Sequence, residues 1–389
     1  MAASFSIGDK RYGSGKTLVV AEIGTGHGGD FAKARDLIAA AAESDADCVK
    51  FQCVFADEII HPNTGRVELP GGSIALYDRF LELEEDEAFY AAAKECAESL
   101  GLEFLCTPFG SRSARLLRGI GCKAIKVASP ELNHFPLLDE IASYGLPVML
   151  SSGVSTLADI DRALRRFAGR YAGCRGSTGA ASSDLALLHC VTSYPAPASE
   201  YNLRLLPSLA SLFGLPVGVS DHSMDPVLIP ALSVAAGGII VEKHICLSRK
   251  DPGLDDAIAL PPDSFAEMVR AIRRAQALDP DKTIATLKAE YGEAQVEAAL
   301  GDGVKRLAPS ESANYRRTNR SVHSLRAIRA GEVLAEVDLA VLRTEKVLRP
   351  GLDPELLPIL AGRIAARDIP SGEGIEWDDL GGFPKGRPR

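Results

Sequence analysis

Two histidines stand at the ends of consecutive apolar runs in this 389-residue chain. His222 closes the run PVGVSDH, and His244 lies in the next run, GIIVEKHI. Imidazole is a common ligand of divalent metals, and two rings from neighbouring strands can meet on one ion whose other positions hold water and substrate. The pair therefore predicts a metal site that activates a substrate. The alternative is that each histidine only makes a hydrogen bond at the rim of the fold.

Two lysines and several hydroxyls end other apolar runs in the same way. The lysines are Lys50 and Lys126, and the hydroxyl-bearing residues are Thr107, Ser129, Ser151, Thr192 and Ser220. Two ammonium groups surrounded by hydroxyls suit a phosphate or carboxylate dianion. We therefore predict an anion site, with the alternative that the lysines form structural ion pairs with Glu22, Glu131 or Glu242.

Two acidic residues are further candidates. Glu22 ends the first apolar run, where its carboxylate could order an attacking water or bind substrate hydroxyls. It could equally serve to balance the charge of Lys50 or Lys126. Asp255 lies in DPGLDDAIAL, where it could accept hydrogen bonds from a polyol or lie in a solvated loop.

The elements that must position these residues repeat eight times along the chain. The apolar runs are TLVVAEIG, CVKFQC, EFLCTP, AIKVAS, PVMLSS, LALLHCV, PVGVSDH and GIIVEKHI. Their uniform apolar character is typical of parallel strands that are buried on both faces. Amphipathic helical patterns separate them, which predicts an α/β fold, a (β/α)8 TIM barrel with its active site at the carboxyl ends of the strands.

The chain divides into three predicted parts. The barrel covers residues 1–280, a linker covers 281–318, and a small β-rich domain covers 319–389. The last part contains an internal repeat, because AIRAGEVLAEVDL from Ala327 matches DIPSGEGIEWDDL from Asp368. We expect the long excursion over residues 55–85 to shape access to the barrel mouth. The Gly/Ser-rich stretch AGCRGSTGAASSD is expected to be a flexible connection.

Composition narrows the function classes. The formal net charge of −9 argues against a general nucleic-acid binder. No apolar run approaches the length of a membrane span, and the N-terminus lacks the apolar core of a signal peptide. The eight cysteines form no CxxC pair, and several lie in predicted buried strands. We therefore predict a cytoplasmic protein with reduced cysteines and without nucleic-acid or membrane partners.

The order of the motifs identifies a family. AEIGTGHGGD, ADCVKFQ, FLCTPF, KVASPE, LSSG, LHCVTSYPAP, PVGVSDH, EKH and DPGLDD resemble the bacterial N-acetylneuraminate (sialic acid) synthase family, which includes synthases of related nonulosonic acids. The C-terminal repeat resembles the antifreeze-like SAF domain of that family, a β-clip fold. The resemblance implies that phosphoenolpyruvate condenses with an N-acyl hexosamine, with C–O cleavage and release of phosphate. It also implies a divalent metal cofactor, Mn²⁺ or Mg²⁺.

The resemblance also assigns roles to residues. It makes His222 and His244 the metal ligands and places Glu22 where water attacks the condensing centre. It assigns phosphoenolpyruvate binding to Lys50, Thr107, Lys126, Ser129, Ser151, Thr192 and Ser220. It assigns the amino sugar to Gln52, Tyr194 and Asp255. It implies a domain-swapped homodimer whose SAF domain reaches the partner's barrel, where Arg320, with Arg316 or Arg317 as alternatives, would contact the N-acyl group.

Departures from the family pattern leave the acceptor sugar open. Gly26 and Gly28 stand where the family often has polar residues, and Asp256 and Ala257 stand where sialic acid synthases often have His and Lys. These positions lie on the sugar side, so a 2,4-diamino-6-deoxy sugar or another aldose is an alternative to N-acetylmannosamine. Two other functions remain open: a Schiff-base aldolase acting through Lys126 or Lys50, and a non-catalytic carbohydrate-binding protein.

Overall fold

The computed structural model describes residues 4–13, 15–69, 72–167 and 184–382. The strands are β1 (Ser4–Ile7), β2 (Lys10–Gly13), β3 (Leu18–Gly24), β4 (Cys48–Cys53), β5 (Arg66–Leu69), β6 (Gly72–Ala75), β7 (Glu103–Pro108), β8 (Ile125–Val127), β9 (Val148–Ser151), β10 (Leu185–Cys190), β11 (Val217–Asp221), β12 (Ile240–His244), β13 (Arg320–Ser324) and β14 (Leu339–Arg343). The Gly/Ser-rich stretch before β10 lies outside the described residues.

The helices alternate with the strands through most of the chain. They are α1 (Phe31–Glu43), α2 (Ala56–Ile59), α3 (Leu76–Leu81), α4 (Glu87–Ser99), α5 (Ser111–Gly119), α6 (Phe135–Ser143), α7 (Leu157–Arg166), α8 (Leu205–Phe213), α9 (Leu228–Ala235), α10 (Pro262–Ala277), α11 (Pro280–Tyr291), α12 (Glu293–Leu300), α13 (Pro309–Ser312) and α14 (Leu357–Leu360). Within the described ranges, no helix is long and apolar enough to cross a bilayer.

Eight parallel strands form the predicted barrel. Their order in the sheet is β7-β4-β3-β12-β11-β10-β9-β8. The two end strands, β7 and β8, lie side by side, so the sheet closes almost completely. Each strand coincides with one of the eight apolar runs, and the prediction of a (β/α)8 fold is confirmed.

Side chains alternate between the inside of the barrel and the helix layer. Along β3, Leu18 and Val20 pack inside, Val19 and Ala21 pack against the helices, and Glu22 follows inside at the mouth. The same change from apolar to polar inward residues recurs as Cys48 then Lys50 in β4, Leu105 then Thr107 in β7, and Met149 then Ser151 in β9. This period of two places the polar residues in one layer at the carboxyl ends of the strands.

A hairpin that the sequence analysis did not anticipate closes the other end of the barrel. Strands β1 and β2 pair antiparallel before the first barrel strand. Phe5, Ile7 and Tyr12 are buried against the inward apolar residues of the barrel strands. The hairpin therefore keeps water from the apolar floor beneath the polar layer.

The predicted linker is packed on the barrel. Helix α11 lies against α9, and α12 lies against the 3-10 turn over residues 198–200. Leu287, Val296 and Ala299 are buried in the main core formed by the barrel and its helices. The amphipathic helices of this segment thus extend the outer layer of the barrel before the chain enters the second domain.

The second domain is a small pseudo-symmetric β unit. Its repeats face each other, because Ile328 and Ile369 exchange two backbone hydrogen bonds of 2.9 and 2.8 Å. The matched turn glycines, Gly331 and Gly372, both have φ of 89°, a value that favours glycine. The small core includes Val322, Leu334 and Ile375. The internal repeat of the sequence therefore corresponds to a structural repeat.

The second domain docks on the barrel of the same chain through the excursion after β4. Ile60 pairs with Arg343 in an isolated parallel bridge, and the Asn63 side chain donates to the Ser371 carbonyl at 3.0 Å. Asn133, in the turn after β8, exchanges hydrogen bonds of 2.8 and 3.0 Å with the backbone of Arg320. The excursion thus serves as part of a domain interface, and its predicted effect on substrate access stays a prediction.

Candidate active site

The structure brings most of the predicted site residues to one end of the barrel. Strand pairing sets Glu22 beside Lys50 and beside His244, Gln52 beside Thr107, and Ser220 beside Glu242. The following predicted residues are buried at this end: Glu22, Lys50, Thr107, Lys126, Ser129, Ser151, Ser220, His222 and His244. Gln52, Thr192 and Asp255 are half-buried, and Tyr194 is exposed. Parallel strands end at the same edge, which explains the convergence.

Four charged side chains form a connected network in the mouth. Lys50 Nζ lies 2.8 Å from Glu22 Oε2 and 3.8 Å from Glu242 Oε1, and Lys126 Nζ lies 3.7 Å from the same Glu242 oxygen. The Ser220 hydroxyl donates to Glu242 Oε1 at 2.9 Å. The structural ion pairs that the sequence offered as an alternative are thus present for Glu22 and Glu242, whereas Glu131 pairs with arginines elsewhere.

The pKa values of the two lysines in this network are shifted in opposite directions. Burial opposes the charge of Lys50 most strongly, but attraction to Glu22 and Glu242 outweighs it and raises the pKa of Lys50. Burial lowers the pKa of Lys126, because attraction to Glu242 compensates it incompletely and Lys50 adds repulsion. The positive charge of Lys126 is therefore less well stabilised than that of Lys50, and an anionic substrate could stabilise it.

Hydroxyl groups connect the lysines to the neighbouring strand ends. Lys50 donates to the Thr107 hydroxyl at 3.2 Å, and Lys126 donates to the Ser151 hydroxyl at 2.6 Å. The Ser129 hydroxyl accepts the Gly153 N–H at 3.0 Å. The ammonium and hydroxyl groups that could hold a phosphate and a carboxylate are therefore contiguous.

The two candidate metal ligands lie close together, with their ring planes tilted by 43°. The His222 and His244 ring centroids are 5.8 Å apart, and the Tyr194 ring stacks on His222 at 4.2 Å. His222 Nδ1 lies 3.0 Å from the Val191 carbonyl oxygen. A hydrogen bond donated from Nδ1 to that carbonyl would leave the Nε2 lone pair for a cation. The prediction that the rings converge is consistent with this arrangement.

Burial and neighbouring charges give the two rings different proton affinities. Burial lowers the pKa of His244, and the nearby carboxylates of Asp255 and Glu22 offset this effect only in part. Burial opposes charge on His222 as well, but the neighbouring Cys190 sulfur, 3.8 Å from Nδ1, outweighs it and raises the pKa of His222 to about 9. Among the described residues, no cluster of three or more His, Cys, Asp or Glu side chains is arranged around one ion. The pair would thus leave most positions of a metal to water and substrate.

A buried network behind the histidines was missed by the sequence analysis. Asp221 precedes His222, Lys243 precedes His244, and their side chains form an ion pair of 2.5 Å in the helix layer. The Tyr201 hydroxyl donates to Asp221 at 2.6 Å and accepts the His222 N–H at 2.7 Å. The sequence carried a signal for this network. Asp221 and Lys243 are the middle residues of SDH and EKH, and a residue next to an inward-pointing residue on a strand must point outward.

Two of the departures from the family pattern that were expected on the sugar side, Gly26 and Asp256, lie close together. A side chain at Gly26 would place its Cβ 3.3 Å from Asp256 Oδ1. Asp256 is buried, accepts the Gly253 N–H at 2.9 Å and lies 3.9 Å from Lys33 Nζ. The small Gly26 therefore leaves space for the carboxylate that shapes this loop. Gln52, which was expected to face the sugar, donates to Glu22 Oε1 at 2.7 Å and is thereby linked to the charged network.

The structure does not place Arg320 where the resemblance implied. Its guanidinium lies on this chain's own Glu131 at 2.8 Å, and both side chains are fully buried. It also donates to the carbonyls of Glu58, Ile59 and Phe109. The expectation that Arg320 reaches a sugar is corrected for this chain, because its donors are already engaged in the domain interface. These contacts lie within one chain in the structure, and the predicted exchange between subunits stays a prediction.

Comparisons with known proteins agree with this architecture. The NeuB family matches residues 37–283, and the SAF domain matches residues 319–381. The spore coat polysaccharide biosynthesis protein SpsE of Bacillus subtilis is 33% identical over 97% of this chain and 97% of its own length. Its crystal structure aligns with a TM-score of 0.78 at 32% identity, covering 97% of this chain and 99% of that one. The N,N'-diacetyllegionaminic acid synthase of Legionella pneumophila is 31% identical over 96% of this chain and 97% of its own length.

Proposed function

The chain belongs to the NeuB family, and from that premise we propose that it condenses phosphoenolpyruvate with the open-chain aldehyde of an N-acyl amino sugar. The products are a nonulosonic acid and phosphate. The predicted family, the barrel and the SAF domain are confirmed, and so is the prediction of an enzyme, because named relatives are acid synthases. The observation that carries the proposal is the joint presence of Lys50, Lys126, His222 and His244 in one mouth.

The donor side rests on the lysines. Phosphoenolpyruvate carries a carboxylate and a phosphate. Of the two lysines, Lys126 has the positive charge that neighbouring carboxylates stabilise less well against burial. Glu242 bridges Lys50 and Lys126, so an incoming anion would compete with Glu242 for both. The hydroxyls of Thr107, Ser129, Ser151, Thr192 and Ser220 supply donors that fix the orientation of the anion.

The acceptor side rests on the histidines. His222 and His244 would hold a divalent metal, Mn²⁺ or Mg²⁺, and the bound metal supplies a Lewis acid for the aldehyde oxygen. Glu22 is paired with Lys50 and Gln52, and its neighbour on the adjacent strand is His244. Glu22 would orient the water that adds to C2 of the donor carbon skeleton before the C–O bond to phosphate breaks.

We propose a 2,4-diacetamido-6-deoxy sugar as the acceptor in preference to N-acetylmannosamine. The Legionella relative is named for an N,N'-diacetyl product. Gly26 and Asp256, which lie close together, differ from the residues common in sialic acid synthases at positions that we expect to face the sugar. Asp255 and the exposed Tyr194 would face this sugar. We also propose a homodimer, which sedimentation velocity would contradict by giving the mass of one subunit.

The test is a phosphate-release screen with phosphoenolpyruvate and a panel of N-acyl amino sugars and aldoses, with product masses recorded. We expect release with Mn²⁺ or Mg²⁺ and its loss in His222→Ala and His244→Ala proteins that keep the wild-type circular dichroism spectrum. Full release by either variant in metal-stripped buffer would refute the metal assignment. Borohydride trapping of pyruvate on a lysine would favour the aldolase. Sugar binding without turnover across the panel would favour a carbohydrate-binding protein.

A further inference from the structure

The segment between the barrel and the second domain reaches the mouth through one carboxylate. Glu311 lies on α13 and is 1% exposed. Its Oε2 accepts the backbone N–H groups of Val154 at 3.0 Å and Thr192 at 2.9 Å. Val154 follows β9 and Thr192 follows β10, so this carboxylate ties together the loops at the ends of two neighbouring strands.

The loop that Glu311 holds is strained at Val154. Its φ of 43° lies in the left-handed region, which β-branched residues avoid. The Val154 carbonyl accepts a hydrogen bond from the Asn319 side chain at 3.2 Å. Glu311 thus binds the N–H group of Val154, and Asn319 binds its carbonyl group. Such a conformation persists only where the surrounding structure determines it, and here the determinant is the segment before the second domain.

The strained residue adjoins three hydroxyls of the donor side. Gly153 donates its N–H to the Ser129 hydroxyl at 3.0 Å. A Cβ at Gly153 would overlap the Thr192 hydroxyl and lie 2.9 Å from the Ser129 hydroxyl. Ser151 ends the strand two residues earlier. The path of this loop therefore sets where the hydroxyls of Ser129, Ser151 and Thr192 point.

Other contacts of the same segment reinforce the arrangement. Lys305 Nζ donates to the Ser152 carbonyl at 3.3 Å, and the Asn314 side chain donates to the Thr192 carbonyl at 3.3 Å. The segment over residues 305–319 therefore touches backbone groups on both loops, with Glu311 at the centre.

We propose that Glu311 is a positioning residue of the donor site: it holds the loops after β9 and β10 so that their hydroxyls meet the anionic donor. It acts through backbone N–H groups and does not touch the substrate itself. The proposal rests on the proposed function for the identity of the donor, phosphoenolpyruvate.

The experiment compares phosphoenolpyruvate binding by the full-length wild type, Glu311→Ala and Glu311→Gln, measured by titration calorimetry without sugar. We expect the dissociation constant to rise at least tenfold in Glu311→Ala, because small displacements of ligand-orienting groups are costly. Glu311→Gln keeps one acceptor oxygen and should lose less. The KM for the sugar should stay within about twofold, which a general loss of structure would not give.

Glu200→Ala is the matched control. Glu200, farther along the connection after β10, accepts the N–H and the hydroxyl of Ser310 at 3.0 and 2.6 Å, so it fastens α13 to the barrel without contacting the N–H groups of Val154 or Thr192. Its phosphoenolpyruvate affinity should stay within about twofold of the wild type. Amide hydrogen exchange at Val154 and Thr192 should accelerate in Glu311→Ala and not in this control.

Unchanged phosphoenolpyruvate affinity in Glu311→Ala, or unchanged exchange at the two amides, overturns the proposal. An equal loss of affinity in Glu200→Ala does so as well, because that loss would be a general effect of loosening α13. Binding of phosphoenolpyruvate by the wild type without turnover of any sugar would refute the proposed reaction alone and leave the comparison valid. Absence of binding by the wild type overturns both.

Discussion

At the scale of the residue, the site depends on charges that are buried in pairs. Glu242 bridges Lys50 and Lys126 inside the barrel, and Asp221 pairs with Lys243 on the outside of the adjacent strands. A buried ion pair stabilises little by itself, but one buried charge left alone is costly. The outer pair therefore constrains the two strands whose ends carry His222 and His244.

We predict that Asp221→Asn and Lys243→Met each lower the free energy of unfolding by about 3–5 kcal/mol, because each leaves a buried charge unpaired. The double variant should lose much less than the sum of the two, because it leaves no unpaired charge at this site. Urea unfolding checks both. The exposed pair of Arg204 and Glu297 is the control, and Glu297→Gln should cost about 1 kcal/mol or less. Strict additivity at the buried pair would contradict the prediction.

At the scale of the element, the barrel is a stack of layers with a covered floor. The inward residues change from apolar to polar along each strand, and the hairpin β1–β2 covers the apolar end. Phe5 and Ile7 are fully buried there, although they precede the first barrel strand. The hairpin is thus part of the barrel core, and the polar layer lies next to an apolar layer that the hairpin shields from water.

We predict that Phe5→Ala lowers the free energy of unfolding by about 3–5 kcal/mol, because it leaves a cavity between the hairpin and the barrel floor. Leu212→Ala is the matched control, since Leu212 is an apolar helix residue that is 61% exposed, and its effect should stay within about 0.5 kcal/mol. Urea unfolding followed by circular dichroism measures both. Similar effects of the two substitutions would show that the hairpin is not part of the core.

At the scale of the whole molecule, the second domain depends on its docking. Its core is small, and one carboxylate oxygen of Glu131 accepts from both Arg320 and Arg343, at 2.8 and 2.6 Å. Small units gain too little from their own burial to be independently stable. The two ion pairs to Glu131 therefore tie the second domain to the barrel in this chain. An exchange between two subunits would keep these contacts and stays a prediction.

We predict that Glu131→Gln destabilises the docked domain by about 3–5 kcal/mol, because the fully buried Arg320 and the partly buried Arg343 both lose their carboxylate. Calorimetry should show the second domain unfolding at a lower temperature than in the wild type. Glu355→Gln is the control at the same interface, since Glu355 meets Arg162 in a partly exposed pair of 3.0 Å, and it should cost at most about 1 kcal/mol. A single unshifted transition in Glu131→Gln would contradict the prediction.

The sequence by itself determined the features that follow from local periodicity. Uninterrupted apolar runs specified the eight barrel strands, and polar residues at their ends specified the layer with Glu22, Lys50, His222 and His244, because parallel strands end at one edge. The internal repeat likewise predicted a pseudo-symmetric β unit. These signals are carried by neighbouring residues, so they can be read along the chain.

Only the tertiary structure decided which distant charges meet. Nothing in the local sequence distinguishes Glu311 and Glu131 from solvated carboxylates. In the structure, each is buried against groups that are far away in the sequence. The resemblance assigned Arg320 to a sugar, whereas the structure places it in the domain interface. Long-range packing chooses these partners, because a buried charge must find its counter-charge wherever the fold brings one.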